Sequence, residues 1–134
     1  LYALVARAAV DGIWSWEAGS AQVHFSPRFR ELLGVSEEEF PDTVDAVRAV
    51  LHPDDRAPLE RAVRALLEHD TALDLEVRLR HRDGSWHCFW LRGQADWDTA
   101  GRPARLAGSI SDVTDRDRAR DALRERELAL SRSS

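Results

Sequence analysis

The 134-residue sequence predicts an α+β domain, with helices and strands in separate stretches of the chain. Three observations carry this. Strand-forming runs with a turn between them lie near the start, and helix-capping signals fill the middle from Ser26 to His69. From Leu73 the hydrophobic period becomes two, as Leu73, Leu75, Val77 and Leu79 alternate with Asp74, Glu76, Arg78 and Arg80.

Leu1, Leu4, Val5, Ala8 and Ala9 fall at helical spacing and stop at Asp11-Gly12, a turn signal. Ile13 to Glu17 and Gln22 to Phe25 read as a first pair of strands around Gly19-Ser20. Ser26-Pro27 then starts a helix. Serine accepts orphan backbone amides there, and proline at the first helical position sacrifices no hydrogen bond. Phe29, Leu32 and Leu33 face inward, and Gly34 ends the helix by tolerating the left-handed conformation. Ser36 and Glu39 form a capping box expected to open another short helix, which Pro41 ends. Between Asp42 and Leu51, Val44, Val47, Val50 and Leu51 make one apolar stripe. Pro53 restarts the helix, with Asp54 and Asp55 complementing its positive end, and Leu59, Val63, Leu66 and Leu67 are buried up to about His69.

Asp83-Gly84 signals a hairpin after the alternating strand. A two-residue turn there sets Arg82 opposite Ser85, Leu79 opposite Cys88 and Val77 opposite Trp90. Trp86, Cys88 and Trp90 then face inward, while Phe89 and Leu91 face outward and need a cover. After the Gly101 turn, Arg105 to Val113 makes the last strand, and Thr114 opens a terminal helix. No internal repeat or low-complexity segment appears; only Ser131 to Ser134 reads as frayed linker.

Composition bounds the function. With 43% hydrophobic and 32% charged residues the chain has the balance of one soluble domain. The net charge of −5 disfavours nucleic acid as a partner, and no apolar run is long enough to span a bilayer, so no membrane contact by this segment is expected. A lone Cys88 excludes an internal disulfide and favours a reducing, cytoplasmic setting, although a parent protein could be membrane-anchored. The basic residues, 19 in all, are arginines, as in a GC-rich genome, and the absence of methionine suggests a piece excised from a larger protein.

Several stretches resemble the PAS superfamily, in the branch whose second half is called the PAC motif. They are Asp11-Gly12-Ile13-Trp14, Phe25-Ser26 through Leu32-Leu33-Gly34, and His52-Pro53-Asp54-Asp55-Arg56. The second half adds Glu76-Val77-Arg78-Leu79-Arg80 with Asp83-Gly84-Ser85, then Arg92-Gly93, and Gly108-Ser109 through Asp112-Val113-Thr114. The resemblance covers roughly residues 8 to 118. It implies a five-stranded antiparallel sheet with short helices on one face, used as a sensory or dimerisation module in bacterial histidine kinases and diguanylate cyclases. On this reading residues 1–10 are an N-terminal flanking helix, 11–113 the PAS/PAC core and 114–134 a C-terminal signalling helix.

Independently of the resemblance, Thr114 is placed to cap the exit helix, and Asp112 to fix the angle at which that helix leaves the sheet. The pair is thus the expected relay to a covalently linked effector. Within the exit helix, Ala122 and Ala129, and Leu123 and Leu130, stand seven apart, so a coiled coil in a homodimer and a solvated single helix both remain open. Leu4, Val5, Phe89, Leu91, Leu123 and Leu130 are the expected dimer contacts.

No catalytic residue is assigned. His24, His52, His69, His81 and His87 are scattered, no pair has metal-binding helical spacing, and no metal site is expected. Flavin-adduct relatives carry their cysteine in a helical Asn-Cys-Arg-Phe motif, which the helices here lack, so Cys88 reads as a core residue and an adduct is disfavoured. Haem relatives need a histidine on the long helix facing the sheet, and His52 and His69 lie at its ends, so haem is disfavoured too. A small organic ligand would lie between sheet and helices, walled by Trp14, Phe29, Leu33, Val47, Leu51, Leu66, Val77, Cys88 and Trp90; the same residues also read as a plain apolar core. Two alternatives stand beside the sensor reading: a ligand-free dimerisation scaffold, and a small α+β enzyme, which would need a buried carboxylate and histidine together.

Overall fold

The computed structural model describes residues 10–133. Strands β1 (Gly12–Glu17) and β2 (Val23–Phe25) are followed by helices α1 (Pro27–Leu33), α2 (Val44–Val50) and α3 (Pro53–His69). Then come β3 (Leu73–Arg80), β4 (Trp86–Trp97), β5 (Pro103–Asp112) and the exit helix α4 (Thr114–Ser133). The strands form one antiparallel sheet in the order β2-β1-β5-β4-β3, so the first and last strands are neighbours at its centre. The flanking helix expected before residue 10, with Leu4 and Val5, lies outside the described residues. No helix among the described residues is long and apolar enough to cross a membrane.

The caps read from sequence form. Ser26 Oγ accepts the Phe29 amide at 3.3 Å and the Ile13 amide at 2.9 Å, so one hydroxyl starts α1 and ties it to β1. Gly34 ends α1 at φ 72°. Ser36 and Glu39 exchange both bonds of the capping box, at 3.1 and 3.3 Å, but the segment makes only a turn before Phe40 drops into the core, and no helix follows. Thr43, which the sequence reading passed over, caps α2 by accepting the Ala46 amide.

Each sheet edge is tied in part to the segment beside it, which takes up some of the ladder groups that promote edge pairing. On β3, Asp55 Oδ2 accepts the Arg78 amide at 2.7 Å, while the Asp55 carboxylate grips the Arg78 guanidinium at 2.9 and 3.0 Å. Asp55 therefore does more than complement a helix dipole: it fastens the start of α3 to an edge strand. On β2, the amide of Val23 bonds the Asp42 carbonyl and that of Val44 the Ala21 carbonyl.

The hairpin register differs from expectation. Leu79 pairs with His87, Arg78 with Cys88 and Val77 with Phe89. His81 and Ser85 bond across the loop, and Gly84 adopts φ 89°, so Arg82, Asp83 and Gly84 form a three-residue loop with a left-handed bulge residue. One extra loop residue inverts the faces of β4. Phe89 is fully buried in the core and Leu91 packs against it, so neither is an outward dimer contact. Trp86, Cys88, Trp90 and Arg92 alternate with them on the opposite face. There Trp90 Nε1 bonds Asp74 at 2.7 Å and the Arg92 guanidinium lies 4.1 Å from the Trp90 ring centre. The apolar patch that required a cover is therefore absent from that part of the face.

The core sits between the sheet and α1 to α3, around Phe25, Phe29, Phe40, Leu33, Leu66, Phe89, Leu106 and Ile110. One cation enters it. Arg30 is 8% exposed, and its guanidinium bonds the Phe40 carbonyl at 3.0 Å, the Phe25 carbonyl at 3.3 Å and the Asp42 carboxylate. It pins the loop before α2.

Candidate functional site

Between the inner face of the sheet and helices α2 and α3 lies a cavity of about 660 Å³. Its shape follows from side-chain size. Trp14 on β1 pairs with Gly108 on β5, and Gly108 pairs with Gly93 on β4. With no side chain at Gly93, the indole of Trp14 reaches across β5 to that residue. Wall residues from α2 and α3, chiefly Val47, Leu59, Val63 and Leu67, stand across the space. Arg48, Arg56, Glu60, Arg64 and Glu68 also line it, and all are exposed, so they frame the opening.

Of the expected wall, Trp14, Phe29, Val47, Leu51 and Val77 border the cavity. Leu33 and Leu66 are wholly buried in solid core beside it. Cys88 and Trp90 are on the other face of the sheet because of the register shift. The sequence reading missed Trp16, Leu91 and Leu106, which also border the cavity.

Trp14 carries the polar chemistry of the interior. The indole N–H groups of Trp16, Trp90 and Trp97 donate to the Ser20 carbonyl, Asp74 and Asp70, respectively. Trp14 is 8% exposed, and its buried Nε1 has no acceptor among the protein's groups. A buried donor left unsatisfied costs roughly 1 to 3 kcal/mol. The site can thus hold an apolar molecule of moderate size.

The end of the sheet is joined to α4 by a compact polar knot. Asp112 Oδ1 accepts the Thr114 amide at 2.9 Å and the Thr114 hydroxyl at 2.6 Å, while Thr114 Oγ accepts the Cys88 amide at 2.9 Å. Asp112 Oδ2 faces His87 Nδ1 at 3.1 Å. Burial works against ionisation of Asp112, but Thr114 and His87 outweigh it and hold the carboxyl below the usual range. One turn on, Asp117 binds Arg116 and Arg120, and Arg116 reaches Glu76 on β3. Burial, then Asp117, pushes the Cys88 thiol up, so it stays protonated and poorly nucleophilic.

Residues 22–110 match a family model described as the PAS fold. Sensor protein FixL of Bradyrhizobium diazoefficiens is 28% identical over 121 residues, 89% of this chain and 23% of that protein's length. The chain therefore spans about a quarter of that relative. A crystal structure named sensory box histidine kinase/response regulator, from Burkholderia thailandensis, is 40% identical with a TM-score of 0.81, covering 98% of both chains. The N-terminal domain of a diguanylate cyclase with PAS/PAC sensor from Marinobacter aquaeolei is 18% identical with a TM-score of 0.71, covering 80% of this chain and 98% of that one, a likeness of fold.

Proposed function

This chain belongs to the PAS fold family, and we propose that it is a sensory rather than catalytic module that binds a small organic ligand in the cavity above Trp14. The observation that carries this reading is the apolar cavity bordered by Trp14, whose indole N–H has no protein acceptor. Ligand entry displaces α2 and α3 relative to β1 and β5, and the knot at Asp112 and Thr114 passes that change to α4 as an altered helix angle. The effector beyond α4 is of histidine kinase or diguanylate cyclase type, a choice supported by the names of the relatives. The parent protein presents this module to the cytoplasm.

The active form on this reading is a homodimer joined through α4. Leu123 and Leu130, seven residues apart, are 57% and 63% exposed, which suits a partner helix better than water. Sedimentation across a concentration series tests this: a dimer that dissociates in Leu123→Glu supports the reading, and a monomer throughout rejects it. Native mass spectrometry of the gently purified chain tests the ligand. A mass increment lost on denaturation supports a sensor, whereas bare protein that also fails to bind added aromatic ketones supports the ligand-free scaffold.

A further inference from the structure

The β3–β4 hairpin gathers side chains that the cavity does not use. His81, Asp83 and His87 each offer one donor atom, and among the described residues these atoms lie within 4.8 Å of one another. The two imidazole rings stack at 4.8 Å, both partly buried, and Asp83 stands at the open end of the loop. Helical spacing could not disclose this group, because the loop and not a helix brings its members together.

Proton positions show why the group suits a cation. The Asp83 amide donates to His81 Nδ1 at 3.1 Å, which makes that nitrogen an acceptor facing the loop, where Asp83 Oδ1 is 3.3 Å away, and a bound cation would take the amide's place on the lone pair. His87 Nδ1 faces the Asp112 carboxylate at 3.1 Å, and in the tautomer that donates there Nε2 keeps its lone pair. That nitrogen meets Ser85 Oγ at 3.1 Å, and Asp83 Oδ1 lies 2.6 Å from Ser85 Oγ while accepting the Ser85 amide at 2.9 Å. Two imidazole nitrogens and a carboxylate oxygen thus converge as acceptors, held at present by two loop amides and the Ser85 hydroxyl, which a cation would displace.

We propose that His81, Asp83 and His87 form a binding site for a divalent transition metal of the zinc type. The mixed nitrogen and carboxylate donors suit Zn²⁺ or Co²⁺ and not Mg²⁺ or Ca²⁺. With bonds of about 2.0 to 2.1 Å, ligand atoms in a tetrahedral site stand about 3.3 Å apart, which small turns of the two rings provide. The exposed end of the loop leaves the fourth position to water. Asp112 supplies the outer support, as the carboxylate that orients a metal-bound histidine. Because Asp112 also holds Thr114, the metal sits two hydrogen bonds from the start of α4.

Calorimetric titration of the 134-residue chain with Zn²⁺ tests the site, with Co²⁺ absorption as the coordination readout. One equivalent is expected to bind, weakened roughly 10-fold or more in Asp83→Asn, His87→Gln and Asp112→Asn, and unchanged in His24→Gln/His69→Gln. Metal-free melting curves identify any variant that fails to fold, and exposed Asp83→Asn carries the test in that case. The proposal is overturned if Zn²⁺ does not bind, if folded His81→Gln/His87→Gln binds it like the parent, or if a thiolate-to-cobalt band places the ion on Cys88.

Discussion

Trp14 occupies space that residue 93 leaves open only by being glycine: an ideal Cβ there would stand 2.6 Å from Trp14 Cζ2 and 2.8 Å from Cη2. Gly93→Ala must therefore push the indole toward the cavity. The expected cost is about 1 to 3 kcal/mol, read as a lower urea midpoint together with altered tryptophan fluorescence. Gly108→Ala should cost more, because its Cβ would meet the Arg92 carbonyl, which belongs to the backbone and cannot turn aside.

The Trp14 N–H is separable from the ring's bulk by comparing ligands of one shape. Binding of 2-acetylnaphthalene, which carries an acceptor, is compared with 2-isopropylnaphthalene, which does not. The parent should prefer the ketone by roughly fivefold more than Trp14→Phe does, the worth of one net hydrogen bond. An equal ratio in both proteins would show that the indole nitrogen reads nothing.

Asp55 makes stability depend on pH through α3 and β3. The hydrogen bond from the Arg78 side chain leads the causes that hold its carboxyl below the ordinary range, outweighing burial. A lowered folded pKa adds stability that is complete above the unfolded value near about 3.9 and disappears as pH falls through the folded value. Urea midpoints of the parent and Asp55→Asn should differ most at neutral pH and converge below about pH 4. A gap that persists in acid would assign the loss to shape and not to charge.

Thr114 bridges two strands and a helix with one hydroxyl. Thr114→Val keeps the branched shape but leaves the Cys88 amide and Asp112 without that partner, at a cost of about 1 to 3 kcal/mol. Thr114→Ser should retain most of the stability. Hydrogen exchange at the first turn of α4 should quicken in the valine variant and not in the serine variant.

Local chemistry made much of the fold legible. Ser26-Pro27, Gly34 and the alternation from Leu73 to Leu79 act within a few residues of themselves, and each lies where its chemistry places it. The face of β4 depended on one loop residue. Asp83-Gly84 serves two-residue and three-residue loops alike, and only the left-handed Gly84 seen in the fold decides between them. Arg30 was hidden for another reason: its burial depends on three acceptors, the Phe25 carbonyl at the end of β2 and the Phe40 carbonyl and Asp42 carboxylate brought round by the loop after α1. For the cavity, the large wall residues were readable as apolar, but the room that Gly93 leaves for the indole depends on β1 pairing with β5, two stretches about a hundred residues apart, and on β5 pairing with β4, which periodicity does not encode.

The central claim is that the cavity communicates with the exit helix, and hydrogen exchange on the parent chain with and without saturating 2-acetylnaphthalene tests it most directly. The account predicts slower exchange in β1 and α3 together with a changed rate at Thr114 to Asp117, the latter abolished in Thr114→Val. Protection confined to the cavity walls, with α4 unchanged, would contradict it.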